Sequence, residues 1–393
     1  MISEKEALAA VLEKVRALSP RKAALLDSLG CFAAGDVWAQ RPLPPFDNSA
    51  MDGYAVQSAS YRAGAKLRVT GEQPAGADRC LTIQAGEAIR IFTGAPMPAG
   101  ADAVVMQEEV TREGSTIVAQ CDVGSGEFVR RKGVDLAQGQ RILTRGEPIA
   151  VQTVALLASQ GIGEIDVGGR PRVAIVSTGD ELTPAGSAPR AGQIFESNSL
   201  MLHALARSAG ADVALVEHSP DDLDQLISLF RRALKTDALI VSGGVSVGDR
   251  DLVKPALRDL GVEIDLWRVA IKPGKPFLFG RAEAAFVFGL PGNPVSAFVT
   301  FLKFVRPALL KMSGAAEDQF HLRRVPARLS VKISNEGDRP HYLRGRLQDG
   351  FFNPIGRQES HALFGLSRAN ALLRVDRGET LDAGAMVLVE IWD

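Results

Sequence analysis

Cysteine is scarce: the chain has only Cys31, Cys80 and Cys121, an odd number set far apart. No CxxC pair occurs, which removes a thiolate zinc site and leaves reduced, structural thiols as the expectation. Aromatic residues make up 6% of the sequence, too few for a base-stacking platform. Charge of one sign is also missing: 45 basic and 46 acidic residues leave a formal net charge of −1. With no basic stripe, a nucleic-acid partner is not expected. No apolar run approaches the roughly 18 residues of a membrane span. The N-terminal MISEKEALAA carries charge where a secretory signal needs an apolar core, so a cytoplasmic protein is expected. The five histidines form neither HxH nor HExxH, and His361 beside Ser360 lacks a nucleophile-elbow pattern.

What is present is length and alternation. A chain of 393 residues, 46% hydrophobic, exceeds one compact core and implies several domains. Leu8, Val11, Leu12, Val15 and Leu18 recur at helical spacing, and Ser3 with Glu6 fits a capping box, which predicts a helix over 3–18. From about 54 to 146, short β-type runs (KLRVT, EAIRIF, DAVVMQ, STIVAQ) alternate with Gly/Pro turns and predict an all-β module. A helix is expected over 148–160, so the β module reads as an insertion into a helical, elongated N-terminal domain.

Strands and helices then alternate over 172–311, from RVAIVS through DVALVE, DALIVSGG, FLFG and AFVFG to a helix at about 295–311. That rhythm predicts a doubly wound, mostly parallel sheet. The strand runs RRVPARLSVKI, YLRGRLQDG, ALLRV and MVLVEIW predict a C-terminal β-barrel or sandwich. The expected fold class is therefore multidomain α/β and β. The division is 1–50 with 141–170, the inserted β domain 51–140, the α/β domain 171–317 and the C-terminal domain 318–393.

Polar residues gather where parallel strands end. The loop VSTGDEL delivers Ser177, Thr178, Gly179, Asp180 and Glu181, suited to hydroxyl contact and cation ligation, or to a polar turn with a helix cap. The loop VSGGVSVGDRD offers Ser242, Gly243, Gly244, Ser246 and Gly248, whose amides and hydroxyls suit an anion, followed by Asp249 and Asp251. Asp249 stands where a P-loop requires lysine, so a Walker-type NTPase is excluded. The loop GLPGNPVSA opens a helix at Pro294, and amides around Pro291, Gly292, Asn293 and Pro294 suit a phosphate or oxyanion. Upstream, IKPGKP sets Lys272 and Lys275 in one rigid turn, an anion clamp or two solvated charges.

Glu181, Asp221 and Asp251 fall at or just after strand ends. Three carboxylates at one sheet edge repel unless a cation lies between them, and Mg2+ suits all-oxygen ligation. Asp221 also reads as a helix N-terminus. Thr93 lies in a Pro-rich turn, and Arg130, Arg131, Lys132 and Asp135 form either a phosphate-holding turn or a solvated hairpin edge. The stretch PPFDNSAMDGYA holds Asp47 and Asp52 around a turn with little to bury.

PPFDNSAMDGYA, TGAPMPAGADAVV, VSTGDEL, SGGVSVGDRD, IKPGKPF and GLPGNPVSA follow one another here in the order and spacing of the molybdopterin molybdenumtransferases. The chain resembles that family from its first helix to its last strands, and is similar to the E domain of gephyrin. The resemblance implies an elongated homodimer of four-domain subunits. It implies an enzyme that takes adenylylated molybdopterin and molybdate with Mg2+, hydrolyses the adenylate, places molybdenum on the dithiolene sulfurs and releases AMP. A molybdopterin adenylyltransferase is the implied upstream partner. A gephyrin-like binding scaffold and a tungstate-handling paralogue are the alternatives.

Carried over by motif position, the functional residues are Asp52, Thr93, Asp135, Glu181, Asp221, Asp251, Lys272, Lys275, Pro291, Pro294 and Ser360. The implied roles are cation binding by Glu181, Asp221 and Asp251, and phosphate binding by Lys272, Lys275 and the 243–248 amides. Arg344 and Ser360, with the Pro291–Pro294 turn, would take molybdate. Asp52 and Asp135 would orient substrate or water, Asp52 facing the loops of the other subunit.

Overall fold

The protein is described by a computed structural model covering residues 1–245 and 251–392. The chain divides into two compact units, one formed by 1–35, 145–158 and 162–393, the other by 36–144 and 159–161. No helix among the described residues is long and apolar enough to cross a membrane.

In the larger unit a six-stranded sheet runs in the spatial order Asp212–Ser219, Arg172–Thr178, Ala238–Ser242, Phe286–Leu290, Leu278–Arg281, Glu263–Trp267. The first four strands are parallel and the last two join antiparallel. Both faces are covered, as a parallel sheet requires. Val173 and Ile175 enter one apolar cluster, while Ala174 and Val176 enter the cluster on the other face. The sequence expectation of a doubly wound, mostly parallel sheet holds. From Arg172–Thr178 the chain crosses to Asp212–Ser219 on one side and then back to Ala238–Ser242 on the other, and that reversal creates a ligand crevice at the strand C-termini.

The helices follow the sequence with shifted ends. The first spans Glu4–Lys14, and its capping box forms as expected, with Ser3 N donating to Glu6 Oε2 at 2.8 Å and Glu6 N to Ser3 Oγ at 3.2 Å. It stops before 18 because Val15 adopts an extended backbone. The helix expected at 295–311 consists of Pro294–Thr300 and Arg306–Met312 joined by a π turn, Phe301–Val305. Pro307 has no N–H for the carbonyl four residues back, which favours the wider register there.

The smaller unit holds a six-stranded sheet in the order Ala103–Met106, Gly53–Val56, Glu87–Ile91, Lys66–Gln73, Thr116–Ala119, Val110–Glu113. Tyr54, Val56, Tyr61, Leu67, Val105 and Ile117 fill its core. Gly53 is obligatory: a Cβ there would lie 1.9 Å from the Val105 carbonyl oxygen. The C-terminal segment closes as a five-stranded barrel. One of its strands, Phe351–Pro354, went unrecognised in the sequence because it is short and ends in proline.

A buried ionic knot joins the first helix, the π turn and the barrel. Lys303 Nζ reaches Glu390 Oε2 at 2.8 Å and Oε1 at 3.0 Å, and Glu4 at 3.4 Å. The Tyr342 hydroxyl donates to Glu4 at 2.5 Å. Lys303 and Glu390 are 9% and 5% exposed, so removing one partner strands the other charge. Lys303→Met should destabilise the protein by about 3 kcal/mol; urea unfolding followed by tryptophan fluorescence checks this, and a loss below about 1 kcal/mol would mean that Arg324, 3.3 Å from Glu390, takes over the pairing.

Candidate active site

Three strand ends stop level. Ser177 pairs with Ser242, and Ser242 with Leu290, so the three loops that follow open onto one cavity of about 700 Å³. Its lining includes Thr178, Gly179 and Glu181 from the first loop, Ser242, Gly243, Gly244 and Asp251 from the second, and Pro291, Gly292, Asn293 and Pro294 from the third. Asp221 joins them from the end of the adjacent strand.

The second loop approaches the first closely. Gly243 has φ +96°, and a Cβ there would sit 2.6 Å from the Thr178 carbonyl oxygen. The Trp267 indole N–H donates to the Val245 carbonyl at 3.1 Å and ties the loop down. Ser246 and Gly248, expected to bind anions, lie outside the described residues.

The acids differ in their surroundings. Asp222, not Asp221, caps the helix Leu223–Ala233, accepting from Gln225 N at 2.9 Å. Asp221 therefore turns to the cavity and accepts from Thr178 Oγ1 at 2.8 Å. Glu181 is exposed at the rim. Asp251 is the unusual member: its side chain is only 7% exposed, and neither oxygen has a hydrogen-bond partner among the described residues. Among the described residues Lys254 forms an ion pair with it at 3.7 Å. Burial pushes the Asp251 carboxyl up to about 6, against the pull of Lys254 and with a further push from Asp221. Among the described residues, no three acids, histidines or cysteines form a preassembled metal cage.

Other expected site residues stand elsewhere. The Ser177 side chain is buried beside the neighbouring strand, 3.3 Å from His218 Nδ1, and does not line the cavity. Lys272 lies beside the barrel, its carbonyl accepting from Tyr342 N at 2.7 Å. The carbonyl of Lys275 accepts from Val269 N at 3.0 Å. Arg344 is fully buried; its Nη2 donates to the carbonyls of Arg357 and Glu359, while Nε and Nη1 have no partner among the described residues.

His341 ties this basic group together. Burial first, then the charges of Lys272, Arg344 and Arg339, push its pKa down to about 4. Ser360 returns to the third loop. Its Oγ accepts from Asn293 Nδ2 at 2.9 Å, and its carbonyl occupies the Val295 amide at 3.1 Å. That amide is thereby lost to an oxyanion.

Asp52, Thr93 and Asp135 belong to the smaller unit. Asp52 Oδ1 accepts from Thr93 N at 2.7 Å and Thr93 Oγ1 at 2.8 Å, bonds that hold its carboxyl below the usual range. Asp47 accepts from Lys132 N at 2.7 Å and Arg131 Nη1 at 2.8 Å. The acids of the 44–55 turn thus fasten two neighbouring loops. Asp135 is exposed, its backbone N–H donating to the Leu43 carbonyl at 3.0 Å.

The sequence reading missed Glu196, Asn198, His361 and Leu363, which also line the cavity. The signal for Asn198 was present in the run ESNS opening a helix, where Glu196 caps Ser199 N at 2.8 Å.

Three family models match: the MoeA N-terminal region (domains I and II) over residues 2–161, a probable molybdopterin-binding domain over 174–311, and the MoeA C-terminal region (domain IV) over 326–392. The molybdopterin molybdenumtransferase 2 of Mycobacterium tuberculosis is 36% identical over 408 residues, covering 100% of both chains. The molybdopterin molybdenumtransferase of Nostoc sp. is 38% identical over 363 residues, 88% of this chain and 83% of that one. This chain belongs to the MoeA family. A crystal structure of the molybdopterin biosynthesis MoeA protein of Pyrococcus horikoshii has the same fold, with a TM-score of 0.84 and 30% identity over 100% of this chain and 99% of that one.

In this MoeA chain, the depressed His341 pKa has a consequence with a definite sign. The ring is neutral when folded and titrates near 6.5 when unfolded, so its contribution to stability is present above pH 6.5 and lost as pH falls toward 4. The slope reaches about 1.4 kcal/mol per pH unit for one proton. Thermal unfolding across pH 4–7 should show that slope, and His341→Gln should flatten it; an unchanged slope would place the titration elsewhere.

Proposed function

We propose that this chain performs the reaction its relatives are named for, transferring molybdenum to molybdopterin. The substrates are adenylylated molybdopterin and molybdate, the adenylate is hydrolysed, and AMP leaves. The observation that carries this reading is the single cavity at the strand ends, where three acids and two glycine-bearing loops meet. Cleaving a phosphoanhydride requires developing charge to be neutralised and water to be placed, and needs no covalent nucleophile.

The residues present fit Mg2+. Two buried Asp251 oxygens lack partners among the described residues, and Asp221 and Glu181 line the same cavity. Mg2+ usually keeps waters and binds through one or two carboxylates plus substrate phosphates, so a preassembled cage is unnecessary. Glu181, Asp221 and Asp251 would hold it, and it would supply charge neutralisation at the phosphates. The Gly243 amide is taken by the Leu290 carbonyl at 3.1 Å, so the amide of Gly244 receives a phosphate oxygen, with Lys272 and Lys275 as flanking cations. Arg344, whose guanidinium keeps two nitrogens without hydrogen-bond partners among the described residues, and Ser360 are the proposed molybdate residues. The dithiolene sulfurs of the substrate are the soft ligands for molybdenum, so paired cysteines are not needed. An enzyme that adenylylates molybdopterin must act upstream.

Asp251→Asn should reduce AMP release by about 10²–10³-fold, the size expected when one preorganised charge group is lost. It should also weaken Mg2+ uptake in calorimetric titration of the protein with AMP present. Full activity in this variant would remove the cation site.

The homodimer is part of the proposal, with Asp52, Thr93 and Asp135 of one subunit serving the cavity of the other. Asp52→Ala and Asp251→Ala, each inactive alone, should regain AMP release when co-expressed, because a mixed dimer rebuilds one intact site. No recovery in a purified mixed dimer would place Asp52 in its own subunit's chemistry or outside it.

A further inference from the structure

Asn198 opens the helix Asn198–Ser208 and is 9% exposed at the cavity wall. Its side-chain nitrogen donates to two of the three ligand loops at once. Nδ2 reaches the Gly292 carbonyl at 2.7 Å and Ser242 Oγ at 2.9 Å. The orientation of the amide is not arbitrary. A carbonyl oxygen only accepts, so the face toward Gly292 must be the NH2 group. Oδ1 is then left buried with no partner among the described residues. The amide is held for its donors at the expense of its acceptor.

The second N–H decides the polarity of Ser242. A hydroxyl that accepts from Asn198 still has its own proton to give, and Ser242 lines the cavity. We propose that Asn198 is a positioning residue that fixes Ser242 as a donor to an anionic oxygen of the bound substrate while pinning the Gly292 turn against the second loop. This rests on the reading of the cavity as the site for adenylylated molybdopterin. It adds that the Ser242 proton is directed by Asn198, not by the ligand alone. Asn198→Asp is the discriminating change. The shape is kept, but a carboxylate cannot donate, so the Ser242 proton turns toward residue 198 and away from the substrate.

The test is a double-mutant cycle on AMP release, with KM and kcat measured separately and folding checked by circular dichroism and thermal unfolding. Ser242→Ala should raise KM about tenfold, as for one lost hydrogen bond to a charged group. Asn198→Asp should raise it at least as much. In the Ser242→Ala background Asn198→Ala should add less than about threefold, because the path through the hydroxyl is already gone. If Asn198→Asp fails to fold, Asn198→Ala alone and in the Ser242→Ala background carries the cycle. Two outcomes overturn the proposal in different ways. Full additivity, with Ser242→Ala still impaired, rejects the role of Asn198 and leaves the cavity reading standing. An unimpaired Ser242→Ala enzyme rejects the role of Asn198 and also removes Ser242 from the substrate site.

Discussion

The level ending of three parallel strands is the constraint on which the site depends. Ser177, Ser242 and Leu290 stand side by side across the sheet. Loops that leave from one line can reach a common ligand with few residues each. A one-residue slip of Ala238–Ser242 would carry Ser242 to the opposite face and turn its loop away. The register is held because the strands are buried on both faces, with apolar side chains alternating between two clusters. The chemistry therefore leans on packing far from any polar group.

Much of this was legible in the sequence. Apolar runs of four to seven residues bounded by glycine gave the parallel strands, and a capping residue with a spaced glutamate gave the first helix. The acids of the strand ends were readable because carboxylates seldom cluster where a sheet offers backbone amides to anions. Other features depend on contacts that no local pattern contains. Asp221 and Asp222 are neighbours with opposite duties, one capping a helix and one facing the cavity, and only the strand's exit angle separates them. Ser177 and Thr178 are likewise adjacent, yet one meets His218 and the other lines the cavity. Asn198 and His361 reach the wall from segments remote in sequence.

The turn at 44–55 shows how a motif's acids can serve the fold and remain available to chemistry. Asp47 is occupied by Lys132 N and Arg131, and Asp52 binds Thr93 through a single oxygen, Oδ1. These bonds favour the charged carboxylates. Each acid is thus held in its charged form by fixed donors, and only Asp52 keeps an oxygen, Oδ2, free of these bonds.

Folded proteins leave few buried polar atoms unpaired, and the exceptions call for a physical reason. In the larger unit eight such atoms occur among the described residues, on Asn198, Asp251, Arg339, His341 and Arg344. Six of them fall into two groups of opposite character. The Asp251 oxygens are anionic acceptors beside the glycine loops. The nitrogens of Arg339 and Arg344 are cationic donors beside Lys272, and these charges add to the burial that lowers the His341 pKa. Both groups are only loosely paired: Asp251 has Lys254 at 3.7 Å and Arg339 has Asp338 at 3.4 Å, longer than a charge-assisted hydrogen bond. Incomplete pairing of this kind leaves each group able to take a further partner of opposite charge.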